Sequence, residues 1–529
     1  LTAAGRRIRD GNSSIMNLYA LFEARFSTDS TTILLTGEDG RSLSVGELVD
    51  ATARYAAFLQ SLGVQPGDRV AVQVEKSVEA VLLYLACLRA GAVYLPLNTA
   101  YRESEIAYFL SDASPKVVVH SPNDTEWLAP IAASLSVRHR YSMPAAPLSD
   151  SQNVVEGRSD WDQNARKCSP MTGFVHREDD DLACILYTSG TTGRSKGAML
   201  THKNLSSNAE TLHRTWGFTE SDVLLHCLPL FHVHGLFVAL NTILLNGGKM
   251  IFHRRFDASS AISAMKRATV FMGVPTYYTR LLADPNFDAK CCEHMRLFVS
   301  GSAPLLPETF AAFKLRTGHT ILERYGMTET GMITSNPLHG ERRGGTVGFA
   351  LAGVEVRVAH DDGSIAKPGD IGHIQLKGPN VLAGYWQMPE KTAEEFTSDG
   401  FFNTGDMGTF SADGYLSIVG RSKDLVISGG YNVYPKEIEL MLDKIDGVAE
   451  SAVIGIPHSD FGEAVAAVLV PKPHATLEEA QIISTLKKQL ANFKVPKRVF
   501  VVQELPRNAM GKVQKNVLRH QYADTFAPK

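Results

Sequence analysis

The stretch Tyr187–Gly197, Tyr-Thr-Ser-Gly-Thr-Thr-Gly-Arg-Ser-Lys-Gly, constrains this chain more than any other. The residues before it, Leu182, Ala183, Cys184, Ile185 and Leu186, read as a short buried strand. The strand opens into three glycines, several Ser and Thr hydroxyls, Arg194 and Lys196. Such a loop suits a polyphosphate. Glycine lets backbone N–H groups approach an anion closely, hydroxyls add donors, and the two cations add charge. A flexible linker has a similar composition but seldom follows a buried strand. The loop is not a Walker A motif, because Lys196 stands between Ser195 and Gly197. A helix can start at His202-Lys203-Asn204.

A chain of 529 residues with 44% hydrophobic content exceeds a usual single domain. A net charge of −3 leaves no nucleic-acid footprint. The six cysteines (Cys87, Cys168, Cys184, Cys227, Cys291, Cys292) form no C-x-x-C pair, so buried free thiols in a reducing compartment are expected. His232 and His234 suit a metal by count alone, and with no third or fourth ligand in view they are not read as a metal site. No apolar run is long enough to span a bilayer, so no membrane insertion is expected. Residues 1–15, rich in Arg, read as an extension ahead of a natural start at Met16: a tag, an upstream extension or a targeting remnant. The compartment expected is the cytoplasm, or the mitochondrial matrix or another organelle if that extension is a targeting remnant.

Along the chain, strand and helix alternate. Ser44 caps a helix over Val45–Leu62, Val70–Val74 is a strand, Ser77–Ala90 a helix, and Gly91–Leu97 and Lys116–His120 are strands. This pattern predicts parallel sheets with covered faces. Pro144–Arg177 is polar and reads as a surface loop that contributes little to any core. Lys249–His253, Phe271–Val274 and Leu297–Ser300 are further strands, and Pro275 opens a helix. Val356, Val358, Ile374 and Leu376 alternate with polar residues, which predicts a small antiparallel β subdomain over 347–418. At Gly420–Asp424 the pattern changes, and a small α/β domain follows, ending in an exposed segment Pro506–Lys512. No carrier-protein domain is expected after it.

The phosphate loop resembles the signature of the adenylate-forming superfamily: acyl-CoA synthetases, luciferases and peptide-synthetase adenylation domains. Further matching motifs lie in order along the chain: Leu228–Gly235, Ser300–Leu305, Glu323–Glu329, Thr404–Asp406, Gly420–Glu439 and Pro506–Lys512. Within the superfamily the chain looks most like the malonyl-CoA synthetases. The resemblance implies an α/β fold with a large N-terminal domain (16–422) of two α/β subdomains plus a β subdomain. A small mobile α/β C-terminal domain (423–529) follows. It implies ATP, Mg2+ and coenzyme A, small-molecule substrates, and a monomer or weak homo-oligomer.

The resemblance also implies roles by position. The nucleotide falls to Thr188, Ser189, Gly190, Thr191, Thr192, Gly193 and Lys196, to Ser302, Ala303 and Pro304, to Glu323, Arg324, Tyr325, Gly326, Met327 and Thr328, and to Asp406, Arg421 and Lys512. Tyr325 meets the adenine face, Thr328 the α-phosphate and Asp406 the ribose. Glu329 and Thr188 hold Mg2+ and, with Lys512, form the catalytic set. Lys512 bridges the acid's carboxylate and ATP. Lys423 is the hinge for rotation of the small domain, and Ser428, Gly429, Gly430 and Tyr431 border the pantetheine arm.

The acid pocket is implied at His232, Val233, Arg280, Ser300 and Met332. Arg280 matches an acyl-pocket arginine, and a guanidinium suits the second carboxylate of malonate; Arg255 and Arg296 are rivals. Malonate is expected first and methylmalonate or another short-chain (di)carboxylic acid second. Two other classes are weighed. A stand-alone amino-acid-activating enzyme would usually carry an Asp within the segment matching Phe231–Gly235, and none is there. A degenerate nucleotide-binding protein would carry a broken motif, and none is seen.

Overall fold

The computed structural model describes residues 17–144, 160–188, 195–428, 431–458, 461–508 and 511–526. The extension 1–15 lies outside them. The chain packs as two compact units of mixed α/β structure. The first comprises residues 1–272, 327–331 and 379–392, and the second comprises 273–326, 332–378 and 393–529.

The first unit contains a seven-stranded sheet in the order Gly384–Tyr385, Lys196–Thr201, Leu182–Thr188, Val93–Pro96, Arg69–Gln73, Val117–His120, His139–Ser142. Its five strands from Leu182–Thr188 onward run parallel, as helical crossovers require. Lys196–Thr201 turns back antiparallel, so the phosphate loop joins two hydrogen-bonded neighbours. The helix Val78–Ala90 is buried along its whole length, capped by Ser77 and ended by Gly91 at φ +71°. A second set pairs Ile33–Gly37 with Ser42–Ser44 and Met250–Phe252, and continues through Leu224–His226 to Val270–Gly273.

One sequence expectation fails here. Residues 145–159 of the segment Pro144–Arg177 lie outside the described residues, and the rest is not a plain surface loop: Trp161–Arg166 is a helix capped by Asp160, and Trp161 is fully buried. Its ring packs edge-on against Tyr55, Phe58 and Tyr141. A polar average conceals one large apolar anchor, and that anchor outweighs its neighbours in buried area.

In the second unit, Leu297–Ser300 runs parallel to Leu322–Met327. The expected antiparallel sheet is present as Glu355–Ala359, Gly372–Lys377, Phe402–Phe410 and Leu416–Arg421. The C-terminal sheet orders Tyr431–Val433, Val426–Ser428, Gly462–Pro471 and Val448–His458, with Arg498–Val501 parallel to Gly462–Pro471. Both faces are covered. Val453, Val465 and Leu469 pack with Ile438 and Ile482, whereas Ile454, Ile456 and Val468 pack with Leu505 and Leu518. The period-2 alternation of these strands produces two cores from one sheet.

Candidate active site

Within the first unit, the described edges of the phosphate loop are fixed by side chains from other elements. Thr188 ends its strand half-buried, its Oγ1 3.4 Å from the Lys196 carbonyl. The Tyr108 hydroxyl donates to the Ser195 carbonyl at 2.7 Å, and Tyr187 donates to Asp112 at 2.5 Å. Ser189, Gly190, Thr191, Thr192, Gly193 and Arg194 lie outside the described residues, as do Gly429 and Gly430.

Lys196 Nζ sits 4.0 Å from the centroid of the Tyr385 ring. The Tyr385 hydroxyl donates to Glu329 Oε1 at 3.2 Å. One aromatic ring thus links the loop's cation to the carboxylate expected to hold a metal. Glu329 is 7% exposed, and its carbonyl accepts from the Leu382 N–H at 2.8 Å. Tyr385 has no counterpart among the sequence candidates. The strand Gly384–Tyr385, two residues long, carries little periodic signal, and only its pairing with Lys196–Thr201 brings the ring into place.

The loop expected to border the acid pocket follows the strand Leu224–His226. His232 is half-buried and Val233 buried, and the His232 Nδ1 accepts from the His234 N–H at 3.2 Å. A π-helical stretch, His234–Leu240, follows directly. Such turns concentrate at functional sites.

In the second unit, the end of strand Leu297–Ser300 lies beside the strand Leu322–Met327. Ser302 sits in the left-handed region at φ +73°, a strained backbone for a residue with a side chain, and Ala303 is half-buried while Pro304 is exposed. Glu323, Arg324 and Tyr325 are buried and Gly326 is partly accessible; Met327 and Thr328, which belong to the first unit, are partly accessible too. Glu323 Oε1 accepts from the Gly345 N–H at 3.1 Å, and burial pushes its carboxyl up to about 8. It therefore holds backbone in place and is protonated near neutrality.

Tyr325 donates to Asp406 Oδ2 at 2.5 Å, and the Arg421 Nε lies 3.1 Å from Asp406 Oδ1. Asp406 and Arg421 face each other across two strands. A carboxylate has about four acceptor positions, so two remain for ligand hydroxyls.

Arg324 has a different environment. It is 4% exposed, and its Nε and Nη2 have no protein acceptor among the described residues. Its guanidinium presses on Gly301, where an added Cβ would lie 2.3 Å from Cζ. Neighbouring Ser300 Oγ is also buried and has no hydrogen-bond partner among the described residues. Burial pulls Arg324 down to about 9. Arg280 is exposed in the last turn of the helix Pro275–Ala283, Arg255 is exposed, and Arg296 is half-buried. Met332 is fully buried.

Lys512 is half-buried in a tight turn in which its N–H donates to Asn508 Oδ1 at 3.0 Å. Gly511 takes φ +73°, and a Cβ there would meet Thr276 Oγ1 at 3.5 Å. The Lys512 turn thus lies against the first turn of the helix Pro275–Ala283. Lys423 is exposed in a single 3-10 turn, Ser422–Asp424, whose Asp424 pairs with Arg519 at 2.5 Å. Ser428 is buried and Tyr431 is 58% exposed, stacked on Phe493. No group of three or more His, Cys, Asp and Glu forms a metal cluster among the described residues.

A family described as AMP-binding enzyme matches residues 22–386, and its C-terminal domain matches residues 437–512. The chain belongs to this family. A malonate–CoA ligase of Arabidopsis thaliana is 34% identical, over 95% of this chain and 89% of its own. A feruloyl-CoA synthase of an Amycolatopsis species is 35% identical over 94% and 97%. Among solved structures, ATP-bound MatB from Rhodopseudomonas palustris is 52% identical with a TM-score of 0.91, covering 97% of this chain and all of that one. The family's large and small domains are both present, and no helix among the described residues is long and apolar enough to cross a membrane.

Proposed function

We propose that this chain is an ATP-dependent malonate–CoA ligase. A carboxylate oxygen of malonate attacks the α-phosphate of ATP, the bond to pyrophosphate breaks, and malonyl-adenylate forms. The thiol of CoA then attacks the acyl carbon, and the bond to AMP breaks. Both steps gather negative charge near the α-phosphate, so electrostatic stabilisation is the main demand.

The observation that carries the choice of acid is Arg324. A buried guanidinium without a carboxylate is costly, and its planar donors match a carboxylate supplied by the ligand. Malonate has one carboxylate to activate and one to spare. Arg324 takes the spare one, with Ser300 as a second donor beside it. Arg280, exposed on its helix, is the rival for this role. The malonate–CoA ligase of Arabidopsis and the malonate–CoA ligase ACSF3 of Mus musculus, 36% identical over 90% of this chain, support the same acid.

The remaining residues divide the work. Asp406, braced by Tyr325 and Arg421, accepts the ribose hydroxyls, and the Tyr325 ring meets the adenine. Lys196 faces the phosphates, and Lys512 bridges the reacting carboxylate and the α-phosphate. Glu329 and Thr188 offer hard oxygen donors of the kind Mg2+ prefers, and the buried, braced Glu329 fits it. The ion would offset phosphate charge. For the second step, the small domain turns about Lys423 and brings Ser428, Gly429, Gly430 and Tyr431 to the pantetheine arm.

The test is an acid panel from acetate to succinate with ATP and CoA, reading pyrophosphate and thioester together. Malonate should lead in kcat/KM. A panel led by propionate or by an aromatic acid would contradict this assignment.

A further inference from the structure

Lys76 lies between the strand Arg69–Gln73 and the helix Val78–Ala90, 8% exposed. It forms no ion pair with a carboxylate among the described residues. Its Nζ instead lies 2.8 Å from His226 Nδ1 and 2.9 Å from the His226 carbonyl oxygen. The Phe252 ring centroid is 4.3 Å away. On the other side of the imidazole, Nε2 lies 2.9 Å from the Gly235 carbonyl oxygen.

These contacts fix the tautomer. A carbonyl oxygen only accepts, so Nε2 carries the proton and donates. Nδ1 is then a bare acceptor facing an amine that donates. Glu38, Cys227 and His253 are the other titratable groups facing Lys76. Burial pulls Lys76 down to about 7, holds His226 well below its ordinary value and pushes the Cys227 thiol up to about 12. The imidazole and the thiol are therefore neutral across the physiological range.

His226 ends the strand Leu224–His226, and Gly235 lies at the start of the π-helical stretch. One imidazole closes the base of the loop between them. The closure is tight, since a Cβ on Gly235 would lie 2.0 Å from the Pro229 carbonyl oxygen. The loop carries His232 and Val233, and its Leu230 and Phe231 line a small cavity with Lys76.

We propose that Lys76 is a positioning residue for acid binding. By donating to His226 Nδ1 it holds the imidazole that clamps Gly235, and so sets the loop carrying His232 and Val233. It touches neither the acid nor ATP. The proposal rests on the malonate reading only for which acid is used.

The experiment compares the parent enzyme with Lys76→Ala, Lys76→Met and His226→Gln, varying malonate and ATP separately. In each variant kcat/KM for malonate should fall about tenfold or more, the size of a lost charge-assisted hydrogen bond, while KM for ATP holds. Ethylammonium should restore malonate kcat/KM in Lys76→Ala; tetramethylammonium, charged but without donors, should not. Lys76→Met combined with His226→Gln should lose no more than His226→Gln alone. If Lys76→Ala does not fold, Lys76→Met keeps the stem, and its split between malonate and ATP decides. Malonate and ATP parameters falling together, or equal rescue by the two ammonium ions, would overturn the proposal. If the parent prefers another acid, the malonate reading fails by itself, and the Lys76 comparison is made with that acid.

Discussion

The Tyr325 hydroxyl lies 2.5 Å from Asp406 Oδ2, and both residues are buried. The hydroxyl therefore orients the Asp406 carboxylate, and in the proposed function the same residue's ring meets the adenine while Asp406 takes the ribose. Tyr325→Phe keeps the ring and removes the brace. A hydrogen bond to a charged group is worth about 1.5–3 kcal/mol, so KM for ATP should rise about tenfold or more. Steady-state kinetics with ATP varied will show it. An unchanged KM for ATP would mean that Arg421 alone orients Asp406.

Glu323 gives a pH signature in stability. Its folded carboxyl is raised from 4.5 to about 8 by burial. The folded state therefore binds this proton more tightly than the unfolded state. The associated stability is full below about pH 4.5 and is lost as pH rises through about 8. The slope is at most about 1.4 kcal/mol per pH unit for one proton. Glu323→Gln keeps the shape and an oxygen acceptor for the Gly345 N–H. Denaturant midpoints measured from pH 5 to pH 9 should fall less steeply in Glu323→Gln than in the parent. Parallel curves would show that Glu323 does not titrate in this window.

In the proposed mechanism Lys512 acts only where a carboxylate meets the α-phosphate. Lys512→Ala should abolish formation of malonyl-adenylate and largely spare thioester formation from supplied malonyl-adenylate. The two half-reactions are measured separately, by pyrophosphate exchange and by thioester yield. Equal losses in both would remove this role from Lys512.

Much of the fold is legible in the sequence because it is written locally. Ser44 with Glu47 and Thr201 with Asn204 form capping boxes, and Gly91 ends its helix in the left-handed region. Strand alternation gives the antiparallel sheet that carries Asp406. What escapes is set by contacts between distant positions. Tyr385 reaches Glu329 across 56 residues, and Lys76 reaches His226 across 150. Neither Tyr385 nor Lys76 lies within one of the matching motifs. Trp161 is hidden in a polar stretch for the same reason. Arginine identity is visible in sequence but burial is not. The family resemblance favours Arg280, whereas packing under Gly301 buries Arg324.

The proposed pairing of Arg324 with the second carboxylate of malonate is read most directly in substrate discrimination. The measurement is the ratio of kcat/KM for malonate to that for propionate in the parent, Arg324→Ala, Arg324→Lys and Arg280→Ala. Breaking a buried pair by removing one partner costs about 3–5 kcal/mol. The ratio should therefore fall by roughly two decades or more in Arg324→Ala, at about 1.4 kcal/mol per decade. Arg324→Lys should recover part of it, because an ammonium lacks the two-pronged geometry. Arg280→Ala should leave the ratio within about tenfold of the parent. General damage lowers both acids and leaves the ratio unmoved. A ratio that holds in Arg324→Ala and collapses in Arg280→Ala would rule out Arg324 as that partner and return the carboxylate to the helix Pro275–Ala283.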